Sequence, residues 1–175
     1  MTATTTTAAI AIFLNTWGNY NENGADGGHW VNLPCDLEAE YKKLAAATGE
    51  RPEEMEPFIN DYDSDINGLD INEYADINEL NDLAAELENM DEYDREKLAA
   101  YIETQGGTIR EAIDHLDRCE YYSGVTLDDL AADFADEMLR GCPDFVSRYF
   151  DYDAFARDLG LDGYTETENG VIYVY

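Results

Sequence analysis

The sequence predicts an α+β protein built from three small units. Three observations carry this reading. Short apolar runs bounded by Gly, Asn and Pro mark strands near the start of the chain. Apolar residues at helical spacing fill its middle. The last residues alternate around an Asn-Gly signal, as a hairpin does. A length of 175 residues suits one ordinary domain or two to three small ones.

Residues 9–69 read as an N-terminal sheet with one helix. AAIAIFLN (8–15) is an apolar run of strand length, and HWVNL (29–33) is the returning strand. Between them, TWGNYNENGADGG (16–28) reads as a long turn-rich loop. Pro34 then opens a helix through CDLEAEYKKLAAATG, with Leu37, Tyr41 and Leu44 on one face and Gly49 beyond its end. EPFINDYD (56–63) is a third strand. Residues 1–8, MTATTTTA, lack the basic and apolar parts of a signal peptide and are expected as a disordered tail.

Residues 70–106 read as a central acidic helical unit. From Asp61 to Asp94 there are 13 acids in 34 residues and no Lys or Arg. Tyr74, Ile77, Leu80, Leu83, Ala84, Leu87 and Met90 recur at helical spacing. So do Asp70, Glu73, Asp76, Glu79, Asp82 and Glu86. The first series predicts a buried stripe and the second a stripe in water. Asp76 followed by Glu79 fits an N-cap with a capping box. A second helix, DREKLAAYIETQG, ends at Gly106 and Gly107. A segment this short folds poorly alone and is expected to pack on a neighbour.

Residues 107–175 read as a C-terminal unit of mixed helices and a hairpin. TIREAIDHL opens with a capping box, Thr108 with Glu111, and RCEYYSG is strand-like. TLDDLAADFADEMLRG is amphipathic, with Leu127, Leu130, Phe134 and Met138 opposite Asp129, Asp133, Asp136 and Glu137. PDFVSRYFDYDAFARDLG gives one or two short helices closed by Gly160, and YTETENGVIYVY a hairpin turning at Asn169–Gly170.

Charge is the anomaly. The chain has 40 acids against 10 bases, a net −30, while 45% hydrophobic and 12% aromatic residues remain typical of a folded protein. Small soluble domains usually carry about 2–8 net charges. Such an excess opposes binding to bare nucleic acid or an anionic membrane, and favours a basic partner surface. No apolar run approaches the roughly 20 residues of a membrane span. Cys35, Cys119 and Cys142 lack metal-ligand spacing and are expected as reduced thiols of a cytoplasmic protein. His29 and His115 are isolated.

DSDINGLDINEY (63–74) begins like a calcium loop, with Asp63, Asp65, Asn67 and Gly68 in place. Its twelfth position, where a bidentate Glu is needed, is Tyr74, so no metal is assigned. G-x-S-x-G, H-E-x-x-H, P-loop and paired-cysteine zinc patterns are all lacking. No catalytic residue and no cofactor is therefore assigned, and the chain is not read as an enzyme.

The acids have a physical use of their own. Duplex DNA carries one charge per about 1.7 Å of axis, so thirty excess charges match roughly 50 Å of duplex. Acids three apart on a helix repeat at about 4.5 Å. The candidate surface comprises Asp63, Asp65, Asp70, Glu73, Asp76, Glu79, Asp82, Glu86, Asp129, Asp133, Asp136 and Glu137.

Three pieces then carry a resemblance: IFLNTWGNYNENG with GGHWVNLP; INDYDSD with INEYADINELNDLAAEL; and YFDYDAFARDLGLDGYTETENGVIYVY. Aromatics, Gly and Pro recur in order, and from about residue 9 onward the chain resembles the ArdA antirestriction family. The resemblance implies a non-catalytic DNA mimic from mobile genetic elements. It implies an elongated chain of three units that occupies the DNA-binding groove of type I restriction–modification enzymes, on their methyltransferase core. It also implies a homodimer joined through the C-terminal part, for which Tyr121, Tyr122, Leu127, Leu130, Phe134 and Met138 are the candidates. Two other readings of the charge are an acidic chaperone or inhibitor of another basic DNA-binding protein, and adaptation of an unrelated protein to high salt.

Overall fold

The computed structural model describes residues 9–175, and the expected tail at 1–8 lies outside the described residues. Helices and small antiparallel sheets together make the fold α+β. The chain divides into two compact units, one reaching Met90 and one running from Asp91 to Tyr175. The segment 70–106 spans that boundary.

In the first unit, β1 (Ile10–Thr16) lies between β2 (His29–Leu33) and β3 (Pro57–Ser64), antiparallel to both. Ile10, Ile12 and Leu14 alternate along β1 and are fully buried, so one face of this sheet is core.

Residues 16–28 depart from the expected loop: Trp17–Asn23 form a helix, α1. Gly and Asn are poor helix formers, so the helix is held by contacts outside its own sequence. Thr16 caps it by accepting from the Asn19 N–H. The buried amides of Asn15 and Asn19 bond each other, and tie to the Gly24 and Asp26 carbonyls. The next helix, α2 (Leu37–Thr48), begins later than Pro34 suggested. Asp36 is its N-cap, and Gly49 ends it in the left-handed region at φ +75°. The last helix of this unit, α3 (Ile77–Asn89), packs against β2.

The second unit starts with α4 (Glu92–Gln105) and α5 (Ile109–His115), followed by a 3-10 turn at Leu116–Arg118. Strands β4 (Cys119–Ser123), β5 (Tyr164–Thr167) and β6 (Gly170–Val174) form a sheet in the order β4-β6-β5. Ala100 of α4 packs with Cys119, Tyr121 and Ile172 of the sheet. Beside them, α6 (Leu127–Met138) packs on α8 (Tyr152–Leu161) through Ala131, Ala156 and Leu159. A single helical turn, α7 (Asp144–Ser147), precedes α8.

Two glycines act differently from their sequence reading. Gly160 does not close α8, which continues to Leu161. Gly170 is not in the hairpin turn: Thr167 pairs with Gly170, leaving Glu168 and Asn169 as the turn. Gly170 instead lies against β4, where an added Cβ would meet the Tyr122 carbonyl oxygen at 2.2 Å.

Candidate functional site

All twelve candidate acids are exposed. The reason differs by element. On β3, strand alternation turns Asp61 and Asp63 outward while Tyr62 is half-buried. Beyond the strand, Leu69 and Ile71 are buried anchors, and the Tyr62 hydroxyl donates to the Leu69 carbonyl at 3.0 Å. Asp70 stands between the anchors and is exposed.

On α3 the predicted stripes separate cleanly. Ile77, Leu80, Leu83, Ala84 and Leu87 are buried, while Glu79, Asp82 and Glu86 are exposed. The helix starts at Ile77, however, so Asp70 and Glu73 belong to the loop before it. The same start removes Tyr74 from the buried stripe, and its side chain is 78% exposed.

Asp76 is the N-cap. Its Oδ1 accepts from the N–H of Asn78 at 2.8 Å and of Glu79 at 3.2 Å. These bonds, the one from Glu79 foremost, hold its carboxyl below the usual Asp range.

On α6, Leu130, Ala131 and Ala135 are buried, while Asp129, Asp133, Asp136 and Glu137 face out. Asp129 closes a capping box, accepting from the hydroxyl and the N–H of Thr126 at 2.7 and 3.2 Å, and its carboxyl is lowered by both. Asp136 Oδ1 accepts from the Tyr152 hydroxyl at 2.9 Å.

The pattern extends to every acid of the chain. None is buried, and only Glu40, Glu50 and Glu96 are half-buried. The first unit holds 19 acids against 3 bases and the second 21 against 7, so the excess belongs to both units and to no single tail. In the first unit each base pairs with a Glu of its own turn: Lys42 with Glu38, Lys43 with Glu40, Arg51 with Glu54. Glu40 also meets His29 at 3.0 Å, and its carboxyl is lowered, chiefly by the hydrogen bond from Lys43.

The six interface candidates are scattered in depth. Tyr121 and Leu130 are buried within the second unit, and the Tyr121 hydroxyl donates to the Asn169 carbonyl at 3.0 Å. Leu127 and Phe134 pack onto the α6–α8 cluster with Tyr164, and Tyr122 sets its ring against Phe134 at 5.7 Å. Met138 alone of the six is exposed, at 62%. Phe145, Val146, Tyr149 and Leu161, unremarked in the sequence, are exposed as well. Phe145 and Val146 lie on the single turn α7, Tyr149 follows it, and Leu161 is the last residue of α8, so none sits within a helix long enough for its spacing to mark a face.

The three cysteines are free thiols, and among the described residues no group of three or more His, Cys, Asp and Glu side chains is placed to hold a metal ion. Among the same residues, no helix is long and apolar enough to cross a membrane.

No curated protein matches the chain. The family described as antirestriction protein (ArdA) matches residues 12–173, nearly the whole chain, and the chain belongs to that family.

Proposed function

We propose that this ArdA chain inhibits type I restriction–modification enzymes as a DNA mimic, seating its carboxylates where the phosphates of duplex DNA would lie on the methyltransferase core. The observation that carries this reading is that none of the 40 acids is buried while the bases of the first unit are neutralised locally. A merely solvated helix face explains one element; it does not explain strand, loop and helices all presenting acid. Thirty excess charges correspond to roughly 50 Å of duplex.

In this reading the protein is a stoichiometric inhibitor, not an enzyme. It works in the cytoplasm, where restriction occurs, and binds no nucleic acid itself. The division into segments 9–69, 70–106 and 107–175 and the homodimer belong to the same proposal. The exposed apolar residues of the second unit supply a dimer contact that the buried Tyr121 and Leu130 do not.

The test is an electrophoretic competition between labelled target DNA and this protein for a purified type I methyltransferase. Release of free DNA in proportion to added protein, weakening steeply with salt, is the expected result. A shift of free duplex DNA by the protein alone at physiological salt overturns the reading.

A further inference from the structure

We propose that Trp17, Tyr20 and Tyr74 form an aromatic shelf that takes an arginine side chain of the partner enzyme. This rests on the groove-binding reading above and adds to charge a second kind of contact.

The rings form a graded row. Phe58 is buried, and Trp17 stacks on it face to face, with centroids 3.9 Å apart and planes 9° apart. Tyr20 meets both edge-on, at 6.4 Å from Trp17 and 5.7 Å from Phe58. Beyond Trp17, Tyr74 lies nearly parallel at 6.4 Å and 28°. Exposure rises along this row: Phe58 is 4% exposed, Tyr20 42% and Tyr74 78%. Burial of Phe58 serves the core. A ring that is mostly in water adds little to folding, so the outer shelf asks for another use.

The backbone under the shelf is tied at several points. The Trp17 backbone N–H donates to the Glu56 carbonyl at 3.1 Å. The buried network of Asn15, Thr16 and Asn19 fixes the turn from β1 into α1, which carries Trp17 and Tyr20. The Tyr74 N–H donates to Asn72 Oδ1 at 2.9 Å. Rigid aromatic surface lowers the entropy lost on binding.

Its chemistry selects the occupant. Ring faces carry negative potential and attract cations. Glu56 and Glu73 are exposed beside Trp17 and Tyr74, and Glu73 interacts with the Tyr74 side chain. Glu50 lays its carboxylate against Gly18, where an added Cβ would lie 2.2 Å from Oε1. Its Oε2 is buried and has no hydrogen-bond partner among the described residues, so the carboxylates open to an incoming guanidinium are those of Glu56 and Glu73. The unit's own bases do not serve, because Lys42, Lys43 and Arg51 are each paired with a Glu of their own turn. Arginine fits better than lysine. Its guanidinium is flat, weakly hydrated and forked, so it stacks on a ring while donating to a neighbouring carboxylate. Surfaces that bind DNA phosphates are supplied with such side chains.

Trp17 and Trp30 are the two tryptophans of the chain, so a Trp30→Phe background makes Trp17 the reporter. Arginine-rich and lysine-rich peptides of equal charge are titrated while Trp17 emission is followed. The expected result is a larger response to the arginine peptide, retained in Tyr74→Phe and lost in Tyr74→Leu. In the methyltransferase competition, Tyr74→Leu is expected to weaken inhibition about two- to fivefold, with Tyr74→Phe close to the parent. Circular dichroism of Tyr74→Leu controls for the fold. Equal responses to the two peptides, or a Tyr74→Leu protein that inhibits like the parent, overturn the proposal. The peptide titration reads the shelf even if the parent displaces no DNA, so the two readings fail separately.

Discussion

Asn81 holds the backbone of Cys35 at both of its polar groups. The Cys35 N–H donates to Asn81 Oδ1 at 2.8 Å, and Asn81 Nδ2 donates to the Cys35 carbonyl at 3.2 Å. An amide that satisfies both backbone polar groups of one residue fixes orientation as well as distance. Helix α3 carries Glu79, Asp82 and Glu86, so this clasp sets which way the acid stripe faces relative to β2.

Replacing Asn81 by Leu leaves both Cys35 groups without their partners at a half-buried site. The expected loss is about 1–3 kcal/mol. Asn81→Asp keeps the acceptor, loses the donor and adds a charge, so it is expected to be destabilised too. Urea unfolding measures both, and a Leu variant with the parent midpoint would show that the clasp contributes nothing.

Two Gly→Ala changes in the second unit are expected to have opposite signs. At Gly170 a Cβ would lie 2.2 Å from the Tyr122 carbonyl oxygen, a backbone atom that cannot swing away. Overpacking of this kind costs about 1–3 kcal/mol or more. Gly160 lies in the last turn of α8, and a Cβ there meets only the end of the Leu127 side chain at 3.4 Å. Alanine is favoured over glycine by about 1 kcal/mol in a helix interior, and Gly160, in the last turn, is expected to gain a part of that. Thermal melts of the two variants decide it; equal shifts would contradict the geometry.

These glycines show where sequence reading stops. The strand β2, the N-cap at Asp76, the box at Thr108 and the outward acids all follow from local patterns. The reciprocal bond expected of Glu79 at Asp76 does not form, and the box that does form at Thr126, with Asp129, has no counterpart in the sequence reading. Charge seeks water whatever the fold, which is why the exposure of all twelve acids was legible. The helix α1 was not, because Gly18, Asn19, Asn21 and Asn23 disfavour a helix that a buried network nevertheless holds. Gly170 read as a turn residue because its constraint comes from Tyr122, far away in sequence. Tyr74 kept the helical spacing although the helix starts after it, and no local signal marks Phe145 or Tyr149 as exposed.

The acid limb of stability is expected to depend on the caps. Asp76, Glu111 and Asp129 have carboxyls lowered by hydrogen bonds from Glu79, Thr108 and Thr126 respectively. A carboxyl lowered in the folded state stabilises it above the ordinary carboxylate range, and that contribution is lost as pH falls through the folded value. Acidification also relieves repulsion across a −30 chain, so the parent must be compared with a variant. Asp76→Asn, Glu111→Gln and Asp129→Asn combined are expected to flatten the stability loss below the ordinary carboxylate range. Unfolding curves of unchanged steepness there would remove the caps as its cause.

Inhibition is expected to decline in grades as charge is removed. Exposed single pairs contribute about 0–1 kcal/mol, so Asp82→Asn or Glu86→Gln alone should weaken inhibition less than about fivefold. Asp70, Glu73, Glu79, Asp82 and Glu86 neutralised together are expected to weaken it by more than about tenfold, with circular dichroism unchanged, because all five face solvent. Abolition by one substitution in a folded protein would mark a single dominant site instead of a distributed one.

The last prediction concerns assembly. Met138, Phe145, Tyr149 and Leu161 of the second unit are 62%, 63%, 88% and 80% exposed. So much apolar side chain in water favours a contact with a second copy, and apolar burial is the force that can offset repulsion between two chains of charge −30. A homodimer is expected in sedimentation, loosening as salt is lowered and screening falls. Phe145→Glu with Tyr149→Glu is expected to give a folded monomer, since neither ring is in the core. Leu130→Ala is expected to act differently. That side chain is 3% exposed inside its own unit, so the change should lower unfolding stability by about 2–5 kcal/mol. A strict monomer of the parent at micromolar concentration and moderate salt would overturn the dimer. Groove binding would then fall to one chain, whose charge still corresponds to roughly 50 Å of duplex.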